Sequence, residues 1–280
     1  MTAIEAIPVT LGYVQKPRPA GRPGGLLANR RVPLSRLTHV ELRKMFDTRS
    51  GFWLMASIVI VALLATVGVI LFAPDSELSY STYAQAIRFP VAVILPLIAI
   101  LSITSEWSQR TGLTTFTLVP HRSRIILAKA IASVAIGLVS VLLALAIAVL
   151  GNLACSAITG TATVWDASLV DCLQFVLGNV LAMLIGFMLG VLIRASSAAI
   201  VTYFVYSGLL PTIFGLLATS QDWFRDLQPW VDIQYAQTTL FVFDGPLSGA
   251  QWANIGVTGL IWLVAPMVIG LRFVLKSEVK

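Results

Sequence analysis

The chain has 280 residues, 57% of them hydrophobic and only 11% charged, with a mean hydropathy of +0.87. Soluble domains carry about 25% charged residues, so this composition excludes a water-soluble globular protein and implies an integral membrane protein. The net charge of +6 and pI near 9.6 invite nucleic acid as a partner, but the distribution of charge gives a membrane explanation and removes that need.

Residues 1–33 contain Pro8, Pro17, Pro19, Pro23 and Pro33, several arginines and few aromatics. They read as a disordered basic cytoplasmic tail that lies against anionic lipid. They lack the apolar core of a cleavable signal peptide. Residues 34–280 read as a single transmembrane domain.

Residues 34–49 are expected to form an amphipathic helix. At 100° per residue, Leu34, Leu37, Leu42, Met45 and Phe46 share one broad face, with Arg36, His39, Arg43 and Asp47 opposite. A basic amphipathic helix leading into a span belongs in the membrane interface. Glu41 projects into the apolar arc. Two partners suit it: Lys44 at i,i+3, or a basic neighbour from the segment after the second span.

A helical span needs about 20 apolar residues. Six stretches qualify, near 52–73, 84–104, 125–150, 173–193, 198–218 and 252–275. They are helices by length, because spanning strands are about 10 residues long and alternate in polarity. The fold class is therefore all-α and polytopic. Arg88 and Pro90 weaken the second span, and Arg88 is expected to snorkel to the interface.

Between the second and third spans lies a polar island, residues 105–124, holding Glu106, Arg110, Arg122 and Arg124, with Lys129 just beyond. A short helix is expected over residues 106–118. Gly112 permits close approach of a partner, and Pro120 stops the helix. Such a helix, parallel to the membrane, suits a groove in a soluble partner. Arg122, Arg124 and Lys129 read first as membrane anchors.

With the N-terminus inside, seventeen of the nineteen Lys and Arg lie on the inner side, leaving only Arg88 and Arg225 outside. Eight of the thirteen acids lie outside, so the inner face is twelve charges positive and the outer face six negative. The positive-inside rule then places both termini in the cytoplasm. The last outer connection holds Trp223, Phe224, Trp230, Tyr235, Phe241 and Phe243, which suggests a cap half inserted in the outer interface.

Several chemistries have no residues to carry them. No GxxxxGK[ST] phosphate loop occurs. The two histidines, His39 and His121, both lie on the cytoplasmic side, which disfavours a histidine-based metal or protease site in the bilayer. No charged residue sits in the middle of a span, where ion-coupled carriers need one. The polar groups at depth are Gln174 and Asn179 on the fourth span and Thr202, Tyr203, Tyr206 and Ser207 on the fifth. They either line a path or satisfy one another. A path so lined suits an apolar or amphipathic cargo. Gly186 and Gly190 form a GxxxG, used for packing within the chain or as a dimer seam. Pro96, Pro211 and Pro266 mark kinks or hinges. Cys155 and Cys172 flank one outer connection, either as a disulfide or as two free thiols.

The island carries a resemblance. Glu106, then Arg110-Thr111-Gly112-Leu113-Thr114, then Pro120-His121-Arg122-Ser123-Arg124 and Lys129, is similar to the pattern after the second span in permease subunits of type 2 ABC (ATP-binding cassette) exporters. Glu41-Leu42-Arg43-Lys44 and the following Thr48 to Trp53 resemble that family's interfacial helix. Thr111-Gly112-Leu113 stands where Gly-Thr is usual, and Ala128-Lys129 where Gly-Lys is common. The resemblance implies that Glu106, Arg110, Thr111, Gly112, Leu113, Thr114, Pro120 and Arg122 form a coupling helix against a separate ATPase. It implies two ATPase copies, with ATP and Mg bound there rather than on this chain, and a second permease copy or a homologous permease. The alternatives are a non-transporting assembly factor and a membrane-embedded enzyme using outer carboxylates such as Asp166, Asp171, Asp222 or Asp226.

Overall fold

A computed structural model describes residues 33–108, 122–160 and 162–276. Among them every regular element is helical. Helix α1 (Leu34–Asp47) is amphipathic and ends at Thr48, whose side chain caps the next helix by accepting from the Gly51 N–H. Gly51 is required there, because a Cβ would collide with the Met45 carbonyl oxygen. The turn between α1 and the first span is thus pinned from both sides.

Six helical stretches long and apolar enough to cross a membrane follow, called spans below. They begin with α2 (Arg49–Phe72), α3 (Tyr80–Ser108), α4 (Arg122–Thr159) and α5 (Leu169–Ile193). The fifth span joins α6 (Ser196–Phe204) to α7 (Leu210–Ser220). The sixth joins α10 (Gly249–Gly259) to α11 (Ala265–Lys276). Between the last two spans lie α8 (Asp222–Val231) and α9 (Ile233–Thr238).

The expected bounds of the spans are too short at several ends. The third span runs to Thr159 rather than 150, because Asn152 is buried and donates to the Val164 carbonyl, so the helix continues past its apolar stretch. The second starts four residues earlier, where the Tyr80 N–H bonds the same Val164 carbonyl. The fourth opens on a capping box between Ser168 and Asp171 and closes on Arg194, a non-glycine residue at φ 60° that turns the chain into the fifth.

Spans two, three and four are the most buried, while one, five and six keep most of their surface outward. The core is closed by glycines. A Cβ on Gly186 would stand 2.6 Å from the Pro96 oxygen and 2.7 Å from its Cα, and one on Gly190 would strike Ile103. The GxxxG therefore packs span four on span two within the chain, letting backbones approach where lipid supplies no hydrophobic drive.

Two spans contain a π-turn, at Val205–Leu209 and Leu260–Val264. The Leu210 N–H bonds the Val205 carbonyl, and the Ala265 N–H bonds the Leu260 carbonyl, each five residues back. A proline stands two residues after each turn, Pro211 or Pro266. A proline ring clashes with the carbonyl four residues earlier, and a widened turn moves that carbonyl aside.

The aromatic connection after span five, expected as a cap and so labelled below, is helical. Phe224 and Phe241 are buried, while Trp223 and Trp230 stay exposed. Phe241 seats against Gly178, where a side chain would collide with its ring, and stands edge-on to Phe175 with centroids 5.5 Å apart.

Candidate functional site: a buried ionic frame at the α1 end

Helix α1 packs across the start of α4. The Glu41 side chain, only 10% exposed, accepts from Lys129 Nζ at 2.6 Å through Oε2 and from Lys44 Nζ at 2.9 Å through Oε1. The expected Lys44 pair is present, and the second partner, Lys129, comes from within the third-span helix rather than from the loop before it. Lys129 is itself 4% exposed and donates a second bond to the Ser102 carbonyl at 3.2 Å. Ser102 Oγ lies 3.1 Å from Ser133 Oγ on α4. One ammonium therefore gathers α1, the end of α3 and the start of α4. Burial alone would raise the Glu41 carboxyl, but the Lys129 and Lys44 ammonium groups outweigh it and hold the group below its ordinary value.

Lys129 is accordingly no membrane anchor. Its side chain points into the protein because a carboxylate waits there. Among the described residues Arg43 makes only a surface pair with Asp47 at 3.0 Å, both side chains mostly exposed, a contact of little energetic weight.

The frame borders the polar island. Glu106 lies in the last turn of α3 and Arg122 begins α4. Arg110, Thr111, Gly112, Leu113, Thr114 and Pro120 lie outside the described residues.

The polar residues expected to line a path fall in two separate places. Gln174 donates to the Gly245 carbonyl at 3.2 Å, tying span four to the cap, and Asn179 donates to the Phe175 carbonyl of its own helix at 2.8 Å. Tyr203 and Tyr206 belong instead to a second apolar cluster with Ile100, Ile185 and Met188. Thr202 and Ser207 are half-buried nearby. Tyr203 has a specific task. Pro96 has no N–H to give the Ala92 carbonyl four residues back, and the Tyr203 hydroxyl donates to that carbonyl at 2.6 Å. Three of these side chains keep a buried oxygen with no hydrogen-bond partner among the described residues: Gln174 Oε1, Asn179 Oδ1 and Tyr206 Oη.

At the opposite end the carboxylates serve as fasteners. Asp166 accepts from the Ser81 N–H at 2.8 Å and the Ser81 hydroxyl at 2.6 Å. Burial would raise its carboxyl, yet the bonds from Ser81 and Ser79 keep it low. Asp171 accepts from the Gly245 N–H at 2.9 Å. Asp232, buried, caps α9 and accepts from Gln228 at 3.1 Å. Trp262 reaches the cap by donating to the Val231 carbonyl at 2.7 Å. Cys155 and Cys172 are free thiols, not a disulfide. Cys155 is buried, and Cys172 Sγ stands 4.0 Å from the Tyr80 hydroxyl.

Sequence reasoning reached Glu41 because a carboxylate inside an apolar arc is conspicuous. It missed the burial of Lys129 and the roles of Ser102, Tyr203 and Asp171. Only Asp171 left a trace, as Ser168-x-x-Asp171 ahead of an apolar run.

Comparison with known proteins finds no family model and no curated protein that matches this chain.

Proposed function

We propose that this chain is the membrane-spanning permease subunit of an ABC exporter, coupling ATP hydrolysis on a separate ATPase subunit to efflux of an apolar or amphipathic substrate. The observation that carries the reading is the buried Glu41–Lys129 pair with the Ser102 carbonyl. It joins the interfacial helix to the two helices that bracket the polar island, so a push on residues 105–124 is delivered to a rigid block rather than to one helix end. The motif resemblance of the island supplies the kind of partner. The lack of a phosphate loop and of mid-span charges supports an external energy source.

In this reading Glu106, Arg110, Thr111, Gly112, Leu113, Thr114, Pro120 and Arg122 meet the ATPase, which holds ATP and Mg. Two ATPase copies and a second permease complete the assembly, with both termini of this chain cytoplasmic. The test is co-purification with an ABC ATPase subunit, and stimulation of that ATPase by lipophilic compounds in reconstituted vesicles. Arg110→Glu and Gly112→Trp are each expected to abolish the complex while the purified permease keeps its unfolding midpoint. Retention of the complex by both variants would overturn the coupling role of the island.

A further inference from the structure

Helix α8 follows span five with only Gln221 between them, so it starts where that span leaves the apolar layer. The last turns of span five expose Leu209, Ile213 and Leu216. Along α8 the side chains divide into three faces. At 100° per residue, Trp223, Leu227 and Trp230 fall within a stripe about 60° wide. All three are exposed, Trp223 by 63%. Phe224 and Gln228 lie about 120° to one side of the stripe and are buried. Asp222, Arg225 and Asp226 lie about 120° to its other side and are exposed.

The roll of α8 is fixed from the protein side. The Phe224 ring meets Phe214 of α7 with centroids 5.6 Å apart. Arg225 Nε donates to the Ala218 carbonyl at 3.2 Å, and Trp262 Nε1 holds the Val231 carbonyl at 2.7 Å. The stripe therefore cannot turn inward. The inward aromatics of the cap are already occupied: Phe224 by Phe214, and Phe241 by Gly178 with the Arg88 guanidinium 3.9 Å from its ring centroid. One face of α8 thus packs on protein and a second is charged and suits water. The apolar third face, beside the outward surface of an emerging span, suits lipid. Tryptophan has an apolar ring body and an N–H, which favours the boundary where acyl chains meet headgroups.

We propose that α8 lies along the bilayer surface at the cap end, with Trp223, Leu227 and Trp230 seated between headgroups and acyl chains. The aromatic content of the connection suggests a half-inserted cap as a whole; the structure narrows the contact to this one stripe and excludes Phe224 and Phe241 from it. The proposal rests on the chain crossing a bilayer and not on its being an exporter.

The full chain, carrying Cys155→Ala and Cys172→Ala, is reconstituted in phosphatidylcholine vesicles with one nitroxide label at a time, on Trp223→Cys, Leu227→Cys, Trp230→Cys, Asp222→Cys or Arg225→Cys. Collision of the label with oxygen, which concentrates among acyl chains, is compared with collision with a water-soluble nickel chelate. The three stripe labels are expected to favour oxygen, and those at Asp222 and Arg225 to favour nickel. The stripe labels should also report one depth. Trp223 and Trp230 are about 10 Å apart along the helix, so only a helix lying in the membrane plane brings both to the same level. Nickel access along the stripe would mark a face open to water and free for a soluble protein. Protection from both reagents, with dipolar broadening that disappears on dilution with unlabelled chain, would mark a second copy. A depth difference of about 10 Å would mark an upright helix. Each of these three results would overturn the proposal. The labelled side chains are all exposed, and an unchanged unfolding midpoint for each variant shows that the access pattern belongs to the folded protein.

Discussion

The Glu41–Lys129 pair is sharply testable because its two side chains are so differently placed from ordinary surface ions. At 2.6 Å, with 10% and 4% exposure, the pair has surrendered most of its hydration. Removing one member of a buried pair leaves an uncompensated charge and costs about 3–5 kcal/mol, whereas replacing both with apolar groups is close to neutral. Lys129→Met leaves Glu41 with Lys44, whose side chain is 49% exposed, so the low end, about 3 kcal/mol, is expected. Glu41→Leu leaves the Lys129 ammonium buried against the Ser102 carbonyl and should cost about the same. The double variant should lose no more than either single, a coupling of at least about 3 kcal/mol. Equilibrium unfolding in mixed micelles, followed by tryptophan fluorescence, measures all three. The pH dependence gives a second reading. The folded carboxyl lies below its ordinary value of 4.5. Its stabilisation is therefore complete above about pH 4.5 and is lost as the pH falls through the folded value. In Lys129→Met burial is opposed by Lys44 alone, so the acid limb should move to higher pH. Single variants that cost less than about 1 kcal/mol, or costs that simply add in the double, would refute the reasoning.

The glycine seam and the proline carbonyl lead to two further outcomes. Gly186→Ala drives a Cβ against the Pro96 backbone and should destabilise by roughly 1–3 kcal/mol, whereas Gly215→Ala, with open space around it, should be neutral within about 0.5 kcal/mol in the same unfolding assay. Tyr203→Phe strands the Ala92 carbonyl and should cost about 1–3 kcal/mol. Adding Pro96→Ala should recover most of that loss by restoring an N–H four residues on, and a double variant no better than Tyr203→Phe would break the argument.

Hydropathy is enough to find six spans because the bilayer imposes length and composition at once. It cannot find where a span ends when the last turns are polar but packed, as at Asn152 and Tyr80. Glu41 was visible as a charge on the wrong face of a helix. Its partner was visible only as a basic residue near the third span, since the depth of Lys129 depends on how α1 crosses α4. Arg88 was readable as a snorkelling cation, but its platform, Phe241, lies 153 residues further along the chain. The tasks of Tyr203 and Gln174 depend on which foreign carbonyl lies opposite, a tertiary fact without a local signature. The π-turns left only their prolines in the sequence, because a hydrogen bond shifted by one residue changes no side chain.

Those turns carry a geometric consequence. Each inserts one residue into an otherwise regular helix, which rotates everything beyond it by about 100° relative to an unbroken α-helix. The stripe of side chains that faces the protein on one side of the insertion is thus out of phase with the stripe on the other. Tyr206 lies in one insertion and Trp262 in the other, and their rings meet with centroids 5.5 Å apart. The phase slip of span five is therefore matched by that of span six at the same level. A residue-by-residue reading of which faces look inward must restart at that level in both helices.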